Sequence, residues 1–258
     1  MSQKSLPPDH PINSSEDRLF ARHTEQSFRF DEKVVNVFPD MIDRSVPGYN
    51  LIVPMLGLLA RRFVQPDSNI YDLGCSLGAS SLAISDAVNT FGVKIIAVDN
   101  SAAMISRLAE LMLQHKGNLP IEVRQENIEN TAISHASLVI LNFTLQFIEL
   151  ENRLPLIKQI YDNLLPGGAL LLSEKISFSD PQNQQLQTEW HHDFKRSQGY
   201  SDLEIANKRN ALENVLIPET LETHRERLGQ AGFTTVIPWF QCFNFISLVA
   251  IKTKNDIA

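Results

Sequence analysis

Cysteine is scarce in this chain of 258 residues: there are two, Cys75 and Cys242, far apart in sequence. A disulfide-stapled scaffold is therefore excluded, and a reducing compartment, the cytoplasm, is expected. Basic charge does not predominate either, since 23 Lys and Arg against 30 Asp and Glu leave a net charge of -7 and a pI near 5.5. Broad nucleic-acid surfaces carry clustered basic residues, so a small-molecule substrate is expected and direct contact with nucleic acid is not. The most apolar stretch, residues 137–150, is interrupted by Asn142, Thr144, Gln146 and Glu149. It falls short of the about 18 apolar residues that suggest a membrane span; no membrane association and no secretory leader are expected. Internal repeats are absent as well, and no shift in composition divides the chain. With 43% hydrophobic residues it can bury one full α/β core.

What the chain does contain is a glycine turn in an informative place. Ile70-Tyr71-Asp72-Leu73 has strand composition, Gly74-Cys75-Ser76-Leu77-Gly78 follows, and residues 79–88 have helical spacing. Residues 94–98 form a second apolar run that ends in Asp99-Asn100, 21 residues beyond Gly78. A carboxylate at that strand end can accept hydrogen bonds from both hydroxyls of a ribose, each worth about 1.5–3 kcal/mol. Pyrophosphate-binding turns read G-x-G-x-x-G. This turn reads G-x-x-x-G, with Cys75 and Ser76 where the second glycine would stand, and so leans away from a dinucleotide. D-x-G-x-x-x-G followed by an acidic strand end resembles the class I S-adenosyl-L-methionine (SAM) methyltransferases. In that family Gly74, Cys75 and Ser76 would lie along the methionine portion and Asp99 would hold the ribose.

Beyond the turn, Ser101 can cap a helix reaching about residue 115, and strand-like runs follow at 121–124, 138–143, 169–173, 234–240 and 243–251. A helix over 51–63 precedes the first strand, another spans 153–165, Pro166-Gly167-Gly168 makes a turn, and Pro218 starts a helix ending near Gly232. The last two runs, separated by Gln241-Cys242, predict an antiparallel hairpin that Pro238 weakens. The expected fold is an α/β, doubly wound, Rossmann-like seven-stranded sheet, and the methyltransferase resemblance implies strand order 3-2-1-4-5-7-6. Residues 1–16, polar and carrying Pro7, Pro8 and Pro11, read as a disordered tail. Residues 17–258 read as one SAM-binding domain with two helical additions, an N-terminal lid (17–65), anchored by Phe20, Phe28, Phe30 and Phe38, and an insertion (179–216).

Several residues could carry chemistry. Asn142 ends the fourth strand at the switch point where ligands sit; being uncharged, it can orient a ligand but is no strong base. Asn127-Ile128 follows the third strand, where methyltransferases commonly place an acid against the adenine amino group. Ser201 and Glu204 have capping-box spacing and start a helix from which Lys208 and Arg209 project. A planar guanidinium at Arg209 could clamp a carboxylate, or simply be solvated. The cluster His191, His192, Asp193 does not make a metal site, because adjacent histidines diverge and no third ligand has matching spacing. Cys75 sits in the turn and is expected to pack or to use its backbone N–H.

The segments Phe38-Pro39-Asp40-Met41-Ile42, Arg44-Ser45-Val46-Pro47-Gly48-Tyr49, Leu141-Asn142-Phe143-Thr144-Leu145-Gln146-Phe147, His191-His192-Asp193-Phe194-Lys195-Arg196 and Trp239-Phe240-Gln241-Cys242-Phe243-Asn244-Phe245 together resemble the carboxy-S-adenosyl-L-methionine (carboxy-SAM) synthase family over roughly residues 31–252. The resemblance implies an enzyme that converts SAM and prephenate to carboxy-SAM and phenylpyruvate. The product would supply a tRNA carboxymethyltransferase that forms 5-oxyacetyl uridine at the wobble position of tRNA. It implies ligand contacts at Tyr49, Gly74, Cys75, Ser76, Asp99, Asn100, Asn127, Ile128, Asn142 and Arg209, with Tyr49 and Arg209 also catalytic. It further implies a homodimer in which Arg209 reaches the neighbouring subunit's site, and no metal. Asn127 departs from the aspartate that relatives often carry. Two other readings compete: an ordinary small-molecule methyltransferase, and a non-catalytic SAM-binding partner of a tRNA enzyme.

Overall fold

The computed structural model describes residues 16–21 and 28–254; of the tail expected over 1–16, residues 1–15 lie outside them. Alternating apolar runs and amphipathic helices build a three-layer sandwich. In chain order, α1 (Glu32–Asp43) and α2 (Tyr49–Phe63) precede β1 (Asn69–Leu73), α3 (Ala79–Ala87), β2 (Lys94–Asp99), α4 (Ala102–Met112) and β3 (Ile121–Gln125). Then come β4 (Ala136–Asn142), α5 (Leu150–Asn163), β5 (Leu164–Ser177), α6 (Pro181–Ser197) and α7 (Asp202–Leu212). The chain closes with β6 (Glu219–Thr220), α8 (Leu221–Ala231), β7 (Thr235–Cys242) and β8 (Phe245–Ile251). The sheet path is β3-β2-β1-β4-β5-β8-β7, parallel except for β8, which runs antiparallel to both β5 and β7. This is the expected order, with one addition: the two-residue strand β6, paired with β5.

Both faces of the central strands are buried, which is why those strands read as continuous apolar runs. Their period of two sorts them. Tyr71, Leu73, Val139, Leu141, Leu170 and Leu172 face α5 and α8 through Leu156, Ile157, Ile160 and Leu228. Ile70, Leu138, Ile140, Ala169 and Leu171 face α2 and α3 through Ile52, Leu56, Ala60 and Ile84. Phe20, Phe28 and Phe38 are buried against Met104 of α4 and Ala211 of α7, with Phe30 packed on them, so these rings anchor the N-terminal segment as expected. Ser101 caps α4 by accepting from Met104 N at 3.2 Å.

Some boundaries differ from those expected, each for a local reason. The last helix starts at Leu221 rather than Pro218, because Arg153 and Arg227 hold the Glu219 carboxylate beside β5 and the Thr220 hydroxyl accepts from Thr223 N at 3.1 Å. The hairpin turns at Phe243-Asn244, not Gln241-Cys242: Phe243 takes a positive φ of 51° and Cys242 pairs with Phe245. Pro238 lies on the edge strand beside a register shift, the place a sheet tolerates proline. No helix among the described residues is long and apolar enough to cross a membrane.

The turn after β1 depends on Gly78. Its φ is +78°, and a Cβ there would lie 2.5 Å from Leu108 Cδ1. Gly78→Ala is expected to destabilise the protein by about 1–3 kcal/mol in urea unfolding. An unchanged midpoint would mean the turn relaxes freely.

Candidate functional site

The parallel strands end at one edge, and the crevice there widens into a cavity of about 360 Å³. Its floor is the β1–α3 turn. Gly74 N and Cys75 N both donate to Val98 O, at 2.8 and 2.9 Å, tying the turn to β2. Gly74 has φ +78°, and a Cβ on it would fall 2.6 Å from Thr144 Oγ1. Ser76 and Phe143, neither of them glycine, also take positive φ values of 49° and 61°. Residues held in that region store strain, and here they line the cavity.

Asp99 ends β2 and is buried. Its Oδ2 accepts from Ser76 N and its Oδ1 from Ser101 N, each at 2.9 Å. Burial pushes its pKa up, while the amides of Ser101, Ser76 and Asn100 oppose that shift. Each oxygen keeps a further lone pair, so the carboxylate can still accept two hydroxyls. Asn142 donates through Nδ2 to Ser80 Oγ at 3.2 Å, and its buried Oδ1 has no donor among the described residues. A buried acceptor without a donor is costly, so a ligand donor has a place waiting. The Tyr49 phenol is shifted by burial far above its ordinary range, which keeps it protonated and unable to act as a base. Asp72, beneath the turn, accepts from Ser81 Oγ at 2.6 Å and is pushed up to about 6 by burial.

Eight of the ten residues singled out from sequence meet at this cavity: Tyr49, Gly74, Cys75, Ser76, Asp99, Asn100, Ile128 and Asn142. Asn127 stands just outside it, its Oδ1 accepting from Asn100 Nδ2 at 3.1 Å. Its acceptor is thus directed at a neighbour in this conformation. Arg209 is exposed and does not line the cavity, although the preceding Lys208 does. Successive residues of a helix diverge, and the inner face of α7 belongs to Lys208. The Cys75 N–H is occupied by Val98 O and its side chain packs on Ala97 and Leu108, so this thiol is structural. No cluster of three or more potential metal ligands occurs among the described residues.

At the far end, sequence reasoning missed a group of amines. Lys175 of β5, Lys195 of α6 and Lys208 of α7 all face the cavity, together with His191. Lys208 Nζ donates to Ser45 Oγ at 2.6 Å and lies 3.7 Å from Asp17 Oδ2. The amines of Lys175 and Lys195 have no hydrogen bond or ion pair among the described residues. Burial, with Lys208 and Lys175 nearby, pushes Lys195 down to about 7; burial brings Lys208 to about 8 and lowers Lys175. His191 Nε2 faces Ser45 O at 2.8 Å and must donate, and burial holds this imidazole well below its usual pKa. Glu174, on the opposite side of β5, accepts from Leu145 N and Gln146 N at 2.9 Å and fixes the loop after β4. Burial pushes its carboxyl up to about 8.

Residues 70–168, which carry the turn, Asp99 and Asn142, match a family model described as a methyltransferase domain. Human N-acetylserotonin methyltransferase in complex with SAM shares the fold, with TM-score 0.59 at 17% identity over 86% of this chain and 55% of that one. A candidate SAM-dependent methyltransferase of Methanococcus maripaludis shares it at TM-score 0.58 and 20% identity, over 91% of this chain and 99% of that one. The class is therefore a Rossmann-like, SAM-methyltransferase fold. Sequence similarity is narrower. Proteins named carboxy-S-adenosyl-L-methionine synthase from Trichlorobacter lovleyi and Yersinia pestis are 55% and 51% identical to it. These matches span 92% and 97% of this chain and 98% and 96% of theirs. The chain belongs to the carboxy-SAM synthase family of enzymes.

The buried amines give the protein a characteristic pH dependence. An amine that falls from 10.5 to about 7 on folding loses its proton on folding between those values. Its contribution to native stability therefore increases as pH rises from about 7 toward 10.5, and is most unfavourable below about 7. The thermal stability gained by Lys195→Met should be largest near pH 6 and shrink toward about pH 9. A gain independent of pH would show that Lys195 keeps its ordinary pKa in the fold.

Proposed function

We propose that this protein converts SAM and prephenate to carboxy-SAM and phenylpyruvate. The observation that carries this reading is the distribution of acids in the cavity. Asp99 and Glu129 are the only carboxylates lining it among the described residues, and both belong to the nucleoside end, after β2 and β3. The ribose would sit on Asp99, the methionine portion along Gly74, Cys75 and Ser76, and the orphaned Asn142 Oδ1 would accept from the amino-acid end. Asn100 and Ile128 would border the nucleoside, with Asn127 turning from Asn100 toward adenine. Beyond them, neither Tyr49, held protonated, nor His191, a very weak base, is suited to removing a proton from a methyl sulfonium.

In this reading the base arrives with the second substrate. When prephenate loses its ring carboxylate as carbon dioxide, the released electron pair aromatises the ring and expels hydroxide. Hydroxide takes a proton from the S-methyl group and becomes water. The resulting ylide carbon attacks the carbon dioxide, and a carboxymethyl sulfonium results. The protein's part is to hold the reactants together and exclude water. Positioning of this kind contributes roughly 7–11 kcal/mol to barrier reduction. The covering would come from the segment around α1 and from α6–α7, whose residues Phe38, Met41, Lys195 and Leu212 line the cavity.

Arg209 would pair with the new carboxylate from a second copy of the chain, and its exposure on the outer face of α7 supports a role across a homodimer. The product would serve as donor for a tRNA carboxymethyltransferase in the cytoplasm; the free thiols Cys75 and Cys242 support a reducing setting. Mass spectrometry of a reaction holding SAM and prephenate should reveal a sulfonium heavier than SAM by one carbon dioxide, with phenylpyruvate in equal amount. Unchanged SAM, or methylation of an acceptor instead, would defeat the reading. Arg209→Ala should weaken carboxy-SAM binding about tenfold or more and SAM binding little. Equal losses for both ligands would remove Arg209 from the carboxylate.

A further inference from the structure

The amines at the far end of the cavity pose an electrostatic problem that the chain's own described residues do not solve. Lys208 is neutralised by Asp17 and steadied by Ser45. Lys175 and Lys195 have no acid beside them among the described residues, and Asp99, at the other end, already accepts two backbone N–H groups. A SAM sulfonium brought into this space adds one more positive charge to a cavity lined largely by apolar side chains. Like charges in such surroundings repel strongly, and a second ligand that brings negative charge in with it relieves that repulsion. Prephenate carries two carboxylates, one that departs and one that stays. An amine paired to the departing carboxylate would oppose its loss, because the charge being neutralised disappears in the reaction. The departing group is better served by an apolar wall, such as Phe143 and Phe245 provide.

Resting on the function proposed above, we infer that Lys175 and Lys195 form the subsite for the carboxylate that the second substrate retains. The subsite sets specificity for a carboxylate-bearing substrate over a neutral methyl acceptor. Lys208, tied to Ser45, Tyr200 and Asp17, keeps the third charge fixed beside it.

The test uses the full chain. Prephenate and phenylpyruvate are titrated, without turnover, into protein saturated with S-adenosylhomocysteine, and turnover with SAM is measured separately. Lys175→Met and Lys195→Met should each weaken both ligands about tenfold or more, with S-adenosylhomocysteine affinity held within about twofold as the check on folding. Phenylpyruvate retains only the carboxylate that stays, so its loss of affinity assigns the amines to that group. Unchanged affinity for both acids overturns the subsite, as does weakened prephenate binding with phenylpyruvate unaffected. A wild-type protein that binds neither acid overturns it too. If wild-type protein binds both acids through these lysines yet makes no carboxy-SAM, the subsite stands and the proposed reaction falls. Should Lys195→Met fail to fold, Lys175→Met, at a half-buried position, decides alone.

Discussion

Buried positive charge without a counter-ion is the constraint on which the rest of this structure turns. Lys175 and Lys195 are brought to one cavity by β5 and α6, and nothing described in the chain neutralises them. Desolvating an ammonium is costly unless it is paired or loses its proton, and the lowered pKa of Lys195 records that cost. The neutral form relieves that cost; an anionic occupant would relieve it while restoring the charge.

The opposite end of the cavity is built from more familiar parts. A strand, a turn with two left-handed glycines and a capped helix bring the Ser76 and Ser101 amides onto the two oxygens of Asp99. Those bonds fix the carboxylate without using all its acceptor capacity. Between the two ends stand Tyr49 and Asn142, and neither is a base of useful strength. The protein thus offers recognition at both ends and no proton acceptor in the middle, an arrangement suited to a reaction whose base is generated from a substrate.

Much of this was legible in the sequence because it depends on local chemistry. The apolar runs of β1, β4 and β5, the Ser101 and Ser201 caps, and the Gly74–Gly78 turn each follow from residue type and spacing, and the capping box at Ser201 and Glu204 forms as its spacing predicts. Asp99 was legible because its distance from the turn is set by one crossover. The lysines were not. Lys175 sits on a strand after an apolar run, Lys195 on a polar helix and Lys208 on another, and only the packing of α6 and α7 over β5 makes them neighbours. Strand β6 was likewise hidden, since two residues carry no periodicity and the pairing depends on Arg153 and Arg227 meeting Glu219. The strain at Ser76 and Phe143 leaves no trace in composition.

The central claim, that these amines await an acid, is tested most directly by counting protons. Prephenate is titrated calorimetrically at about pH 8 into the protein loaded with S-adenosylhomocysteine, in buffers of differing ionisation enthalpy. Pairing Lys195 with the retained carboxylate returns the proton that burial removes, so binding should take up about one proton. Binding with no proton uptake, or with proton release, would contradict the account.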